Sequence, residues 1–228
     1  MTRPTYYAGI CSHGVYSTSP FSIVHAGLGT TVLGHVPTDN QSRPFTVSSE
    51  TNAYLIRQLL DTRVLAATSC SARAIKEAQL EKLVINAMIN PLTVIFNCHN
   101  GELFDKRPRA ALMRLLLGEA SQVVRALLSS TDQVDISDRF SDETLFDLVV
   151  EVATKTGANI SSMLQDVRAG RRTEIDYING YIVRQGKKLG ISCVHNEKIV
   201  EMVKVVHNSY RMGVNPTQSC DPLKNFCL

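Results

Sequence analysis

The stretch from Glu77 to Leu103, EAQLEKLVINAMINPLTVIFNCHNGEL, constrains the fold of this chain more than any other feature. Its apolar residues recur at steps of three and four, which predicts a long helix with a buried face. Three polar residues interrupt that pattern at a spacing of four: Lys82, Asn86 and Asn90. At about 100° per residue, and with successive members about 6 Å apart along the axis, they form one polar stripe.

Pro91 directly follows this stripe. Because proline has no N–H to donate to the carbonyl of Ala87, we expect a kink just past Asn90. A lysine ammonium flanked by carboxamides, in an otherwise apolar segment, is a group set that can hold a small oxyacid and give it a proton. The alternative is a solvated helix face. Asparagine is a poor interior helix residue, however, so its double occurrence argues for another role.

Composition excludes several classes of function. A chain of 228 residues fits one large domain or two small ones. A net charge of +3 without a basic run gives no reason to expect nucleic acid or an anionic membrane as partner. No stretch approaches 18 consecutive apolar residues, and the first ten residues lack the pattern of a signal peptide, so we expect a cytoplasmic protein.

Cysteine and histidine spacing gives no sign of a metal site. The six cysteines include no CxxC pair and no matching histidine spacing, and the six histidines are isolated from one another. Neither a zinc site nor a disulfide framework is therefore expected.

The first third of the chain predicts β-structure followed by a helix. Residues 5–36 alternate as antiparallel strands do, with breaks at Ser19-Pro20 and at Gly27–Gly29. The glycine pair does not predict a dinucleotide-binding loop, because the next residues continue as a strand and a phosphate site needs a helix there. A helix is expected over Ser48–Leu60, with Ser48 or Ser49 as its N-cap, and a strand over Thr62–Thr68.

The remainder after Gly101 is predicted to be almost wholly helical, so the fold class is mainly α. Capping signals include Pro108 near one helix start, Ser141 at the next, and Thr173 with Asp176 in capping-box positions. Helices are expected over residues 107–130, from Ser141 to a C-terminal cap at Gly157, and over 160–168, 173–189 and 196–210, with a loose tail over 214–228.

Three segments carry a resemblance to a known family. KLVINAMINPLTVIFNCHNGEL (82–103) and NISSMLQDVRAGRRTEIDYINGYIV (159–183) resemble the helical C-terminal domain of ketopantoate reductases, the 2-dehydropantoate 2-reductase family. GICSHGVYSTSPFSIVHAGLGTTVLG (9–34) is similar to the last strands of that family's N-terminal domain. The resemblance implies a multi-helix domain of the ketopantoate reductase and 6-phosphogluconate dehydrogenase-like type, preceded by a short antiparallel remnant of a Rossmann domain. The implied division is 1–70 for the remnant, 71–212 for the helical domain and 213–228 for the tail.

The family implies NADPH-dependent reduction of 2-dehydropantoate (ketopantoate) to pantoate, a step towards pantothenate and coenzyme A. By resemblance Lys82 is the proton donor and Glu174 lies on the cofactor side of the cleft. The residues that hold the small 2-oxo acid are Asn86, Asn90, Asn100 and Ser162. From the residues alone, Ser162 can also be a plain N-cap, and Glu174 a partner of a helix dipole.

The chain departs from the family at its beginning. Only 76 residues precede Glu77, about half of them hairpin and loop, whereas one βαβ unit takes roughly 30 residues or more. Most of the NADPH site is thus missing from this sequence. We expect the chain alone to bind NADPH weakly and to turn over negligibly. The alternative function is a truncated, non-catalytic helical module or paralogue that lacks cofactor binding and pairs with itself as a homodimer or with a full-length relative.

Overall fold

A computed structural model describes residues 6–37, 50–105, 107–128 and 134–213. It divides into two compact units, Met1–Leu80 and Glu81–Leu228. Most described residues are helical and the strands lie near the N-terminus, which confirms the predicted fold class. The predicted domain bounds stay a prediction, and the predicted tail lies outside the described residues. None of the helices described is both long and apolar enough to cross a membrane.

The strands of the first unit are β1 (Tyr6–Cys11), β2 (Gly14–Ser19), β3 (Ser22–Gly27), β4 (Thr31–Val36) and β5 (Ala67–Cys70). They form two small sheets. β1 pairs with β4 in antiparallel register, with Tyr6 opposite Val36, and β4 pairs with β5 in parallel. β2 and β3 form a separate antiparallel hairpin. The antiparallel arrangement predicted for residues 5–36 is confirmed.

Both predicted breaks fall between strands. β2 turns into β3 at Phe21, whose φ of 62° is left-handed. Gly29 lies in the connection from β3 to β4, where a Cβ would come within 2.6 Å of the Ser12 carbonyl, so only glycine fits. A strand and not a helix follows Gly29, which confirms that this glycine pair does not form a dinucleotide-binding loop.

The segment between β4 and β5 differs in part from its prediction. Helix α1 (Glu50–Asp61) is present, while its predicted caps Ser48 and Ser49 lie outside the described residues. The strand predicted over Thr62–Thr68 is wrong in its first half. A 3-10 turn occupies Arg63–Leu65, and Ala66 takes a left-handed φ of 42° before β5 begins.

The remaining helices are α2 (Ala72–Phe96), α3 (Arg107–Leu128), α4 (Val134–Arg139), α5 (Asp142–Lys155), α6 (Ser162–Arg168), α7 (Asn179–Leu189) and α8 (Val194–Arg211), with a 3-10 helix at Gly101–Phe104. They build the core around α3, which packs against α5, α7 and α8. Pro108 is the second residue of α3, and Ser141 caps α5 by accepting the Thr144 N–H at 3.2 Å, as predicted. The short helix α4 was not predicted.

Helix α2 ends at Phe96, earlier than the predicted Leu103. Asn97 takes a left-handed φ of 46°. The N–H of Asn97 donates to the Val94 carbonyl at 3.3 Å, and the N–H of Cys98 donates to the Thr93 carbonyl at 3.2 Å. These two bonds form a Schellman motif with asparagine in place of the usual glycine. The apolar periodicity alone gave no sign of this stop.

Two predicted helix starts are also corrected. Residues 174–178 form turns, so α7 begins at Asn179 instead of Thr173. Asp176, the expected capping partner, pairs with Lys204 at 2.6 Å and does not close a capping box. α8 begins at Val194, two residues before the prediction, because its first N–H groups find a carboxylate on another helix.

A buried asparagine replaces the helical bond that Pro91 removes. α2 continues through Pro91, and the carbonyl of Ala87 accepts a hydrogen bond of 3.0 Å from Nδ2 of Asn179, a fully buried residue. The same amide group donates to Oδ1 of Asn196 at 3.0 Å, so both of its hydrogens are used. The start of α7 thereby satisfies the carbonyl that proline leaves open.

The network continues to the buried carboxylate of Glu119 on α3. Nδ2 of Asn196 donates to Oε2 of Glu119 at 2.7 Å and to the Leu116 carbonyl at 3.0 Å. The backbone N–H groups of His195 and Asn196 donate to the two carboxylate oxygens at 2.9 and 3.0 Å. A fourth partner, Nδ1 of His195, lies 2.7 Å from Oε1. Glu119 therefore caps α8 from 76 residues away.

We predict that Asn179→Ala lowers the free energy of unfolding by about 1–3 kcal/mol, because it leaves the Ala87 carbonyl buried without a partner. Pro91→Ala supplies the missing helical N–H. In the Pro91→Ala background, Asn179→Ala should therefore cost about 1 kcal/mol less. Urea denaturation of the four proteins measures this coupling. Asn208→Ala, at an exposed position of α8, is the control. An equal cost in both backgrounds would contradict the role assigned to Asn179.

Candidate active site

The polar stripe of α2 passes from solvent into the core. Lys82 is exposed, Asn86 is half-buried, and Asn90 is 8% exposed. Along the helix axis Lys82 lies about 12 Å from Asn90, and Asn86 about 6 Å. A solvated face therefore does not describe the whole stripe, because its last member is buried.

Asn90 lies where α2 meets the start of α6. Its backbone carbonyl accepts a hydrogen bond of 2.8 Å from Oγ1 of Thr93, which is fully buried. Oγ1 of Thr93 lies 2.6 Å from Oγ of Ser161, the residue before α6. The turn of α2 that carries Asn90 is thereby linked to the segment that carries Ser162.

Ser162 is the first residue of α6 and is exposed. The N-cap is Ser161, whose side chain accepts the N–H of Leu164 at 3.1 Å. The interpretation of Ser162 as the cap is wrong, since the neighbouring serine has that role. The hydroxyl of Ser162 is therefore not needed to cap α6.

Asn100 lies in the loop that follows α2 and is buried, at 7% exposure. Its backbone N–H donates to the Asn159 carbonyl at 3.0 Å, and its Nδ2 donates to Oγ1 of Thr156 at 2.9 Å. Its Oδ1 is buried and has no hydrogen-bond partner among the described residues. Asn100 is thus held by hydrogen bonds that it donates, while its acceptor atom Oδ1 has no partner among the described residues.

The loop that carries Asn100 is held closely against the segment before α6. Gly101 donates its N–H to the Gly157 carbonyl at 3.2 Å, and a Cβ on Gly101 would lie 3.0 Å from the Cα of Gly157. On the other side of the loop, Glu102 accepts the N–H of His99 at 2.6 Å. That bond, with a further one from the imidazole, lowers the pKa of the Glu102 carboxyl.

Glu174 lies in the turns that precede α7 and is exposed. Its backbone carbonyl accepts the N–H groups of Tyr177 and Ile178 at 2.8 and 3.1 Å. Since α7 begins five residues later, Glu174 does not lie in the first turn of that helix. The interpretation as a helix-dipole partner is therefore wrong, because the dipole effect falls off within one turn.

A match to a family model identifies the family of this chain. The model described as ketopantoate reductase PanE/ApbA, C-terminal, matches residues 74–207. The chain belongs to the ketopantoate reductase family. The matched region contains the predicted site residues Lys82, Asn86, Asn90, Asn100, Ser162 and Glu174.

Individual relatives agree with the family and show how much of it is present. A Schizosaccharomyces pombe protein named as a probable 2-dehydropantoate 2-reductase is 33% identical over 93% of this chain and 60% of its own length. The solved structure of a Bacillus subtilis protein with the same description is 27% identical, with a TM-score of 0.67 over 89% of this chain and 61% of that one. The chain spans about three fifths of both.

A more distant structure shares the fold. D-mandelate dehydrogenase, solved with NADH and anilino(oxo)acetate, is 21% identical, with a TM-score of 0.69 over 90% of this chain and 61% of that one. A nicotinamide cofactor is therefore bound by a protein of this fold.

In this ketopantoate reductase family member, the sequence patterns did not predict three residues that support the site. Thr93, Thr156 and Ser161 bond to predicted site residues or to their neighbours. One signal was present: Thr93 interrupts an apolar run one turn after Asn90, which is typical of a polar residue with a buried partner. No group of three or more His, Cys, Asp or Glu side chains suited to a metal ion occurs in the described ranges.

Cys98 and Cys193 should resist alkylation in the folded protein. Burial raises the pKa of the Cys98 thiol to about 11, and burial raises that of Cys193 to about 11. At pH 8 a thiol with such a pKa is thiolate in only about one molecule in a thousand, and the thiolate is the reactive form. With iodoacetamide at pH 8 we expect label at the exposed Cys11 before label at either buried thiol, as read by peptide mass spectrometry. Equal labelling rates in the native protein would contradict this burial.

Proposed function

We propose that this chain carries the substrate-binding and proton-donating part of an NADPH-dependent 2-dehydropantoate 2-reductase. Family membership supports the reaction class. The observation that carries the proposal is the stripe of α2, on which an exposed ammonium and a buried carboxamide share one helix face. The proposed substrate is the 2-oxo acid 2-dehydropantoate, and the product is pantoate.

Lys82 is the proposed proton donor. Reduction of a ketone adds hydride to carbon and leaves negative charge on oxygen, which a nearby ammonium stabilises and then protonates. The product carries a new C–H bond and a new O–H bond, and Lys82 is left as a neutral amine. Because Lys82 is exposed, bulk water can return the proton between turnovers.

The proposed substrate-holding groups are uncharged. Asn86, Asn90 and Asn100 offer carboxamides and Ser162 a hydroxyl, none of which adds charge that competes with Lys82 for the acid. Of the two Nδ2 hydrogens of Asn100, one is donated to Oγ1 of Thr156. The proposed role of Asn100 rests on its Oδ1, an acceptor that has no partner among the described residues. An acceptor suits a substrate hydroxyl, not a carboxylate.

NADPH is the proposed cofactor, with Glu174 as its proposed contact. The Gly27–Gly29 connection leads into β4, so it does not provide the helix N-terminus that a pyrophosphate needs. This connection therefore does not fit the pyrophosphate of a dinucleotide. We assign to this chain only the steps at the substrate: holding the 2-oxo acid and giving it a proton.

Calorimetry with 2-dehydropantoate tests the proposal on the chain itself. We expect Lys82→Gln to weaken binding by about 10- to 100-fold, because a hydrogen bond to a charged group contributes about 1.5–3 kcal/mol. Lys76→Gln, at an exposed position on another face of α2, is the matched control and should bind as the wild type does.

Two results would contradict the proposal. One is a wild-type chain that binds no 2-oxo acid, which is what the alternative of a non-catalytic helical module predicts. The other is a Lys82→Gln variant with wild-type affinity, which would remove Lys82 from the site while leaving a binding function for the rest.

A further inference from the structure

Two buried hydroxyls lie between the proposed substrate groups without belonging to them. Thr93 is 0% exposed and Ser161 is 5% exposed, and their oxygens are 2.6 Å apart. Thr93 lies one turn after Asn90 on α2, and Ser161 directly precedes Ser162. Each hydroxyl is therefore the neighbour of a group proposed to hold the 2-oxo acid.

The hydrogen bonds of these hydroxyls can run in only one direction. Thr93 has a single hydroxyl hydrogen and donates it to the Asn90 carbonyl at 2.8 Å. The bond between the two hydroxyls must then be donated by Ser161. Ser161 in turn accepts the N–H of Leu164 at 3.1 Å. The chain thus runs from Leu164 through Ser161 and Thr93 to the carbonyl of Asn90, and every hydrogen in it has an acceptor.

This hydroxyl chain is a rigid connection, since water does not reach it. Hydrogen bonds in a chain strengthen one another, and a buried group that loses its partner is costly to leave unpaired. A second contact holds the other end of α6 to the end of α2: Nη2 of Arg168 donates to Oδ1 of Asn97 at 2.7 Å. The short helix α6 is therefore attached to α2 at both ends.

We infer that Thr93 and Ser161 are positioning residues that fix the Ser162 hydroxyl relative to the Asn90 carboxamide for binding of the 2-oxo acid. The inference rests on the proposed function. Neither residue touches substrate in this scheme; both act by holding the first turn of α6 against α2.

Four variants separate positioning from packing. Thr93→Val keeps the shape of the side chain and removes its hydroxyl, and Thr93→Ser restores the hydroxyl with a smaller side chain. Ser161→Ala removes the partner. Ser121→Ala removes a fully buried serine hydroxyl on α3, away from the hydroxyl chain, and is the matched control.

Two measurements are made on the full chain of each variant. Amide hydrogen exchange at Leu164, measured without ligand, reports whether the hydroxyl chain is intact. Calorimetry reports the affinity for 2-dehydropantoate. For Thr93→Val we expect exchange at Leu164 to rise about tenfold and affinity to fall about tenfold, because both hydrogen bonds of the Thr93 hydroxyl are lost. Thr93→Ser should return both values to within about twofold of the wild type, and Ser121→Ala should change neither.

The outcomes are distinct. Unchanged exchange at Leu164 in folded Thr93→Val would overturn the connection between α2 and α6. Faster exchange at Leu164 with unchanged affinity for 2-dehydropantoate would show that the hydroxyl chain only stabilises the fold, and would overturn the positioning role. If the wild type binds no 2-oxo acid, the positioning role fails together with the proposed function, and the exchange data then show whether the hydroxyl chain itself exists.

Discussion

The carbonyl of Ala87 is the constraint on which the second compact unit depends. Pro91 removes its helical partner, and the carbonyl belongs to Ala87, a fully buried residue of α2. An unpaired carbonyl there would cost a large part of the stability of a domain, which is only about 5–15 kcal/mol. The Asn179 side chain satisfies it, and this requirement fixes where α7 starts against α2.

The buried carboxylate of Glu119 likewise requires hydrogen-bond partners. A carboxylate in a core is costly unless hydrogen bonds compensate it, and here both oxygens accept from α8. Asn196 completes the path, because it accepts from Asn179 and donates to Glu119. Four helices, α2, α3, α7 and α8, thus share one network of hydrogen bonds, and the turn that presents Asn86 and Asn90 is part of it.

Features that depend on neighbours within a few residues could be predicted from the sequence. The helical periodicity of α2, its stripe of Lys82, Asn86 and Asn90, and the cap at Ser141 are of this kind. Features that depend on distant contacts could not. The start of α8 depends on Glu119, and the end of α2 depends on a left-handed Asn97 that Arg168 contacts through the side chain.

The N-cap of α6 is Ser161, one residue before Ser162, which could also have been the cap on the sequence alone. Ser161 and Ser162 are adjacent and chemically identical, so composition and spacing cannot say which of them caps α6. In the structure the cap is the buried Ser161, and it is chosen because Thr93 offers it a partner across the helix pair. That choice leaves Ser162 exposed and available, which is the property that a substrate contact requires.

The distribution of charge along α2 explains how one helix can be both core and site. The ammonium of Lys82 remains exposed, where it keeps most of its hydration, while the buried part of the same face carries only a carboxamide and a hydroxyl, at Asn90 and Thr93. Burying an ammonium would cost several kcal/mol, whereas a neutral polar group with its hydrogen bonds made costs little. The neutral groups can therefore be fixed rigidly by the core. The charged one stays at the surface, where it can exchange its proton with water.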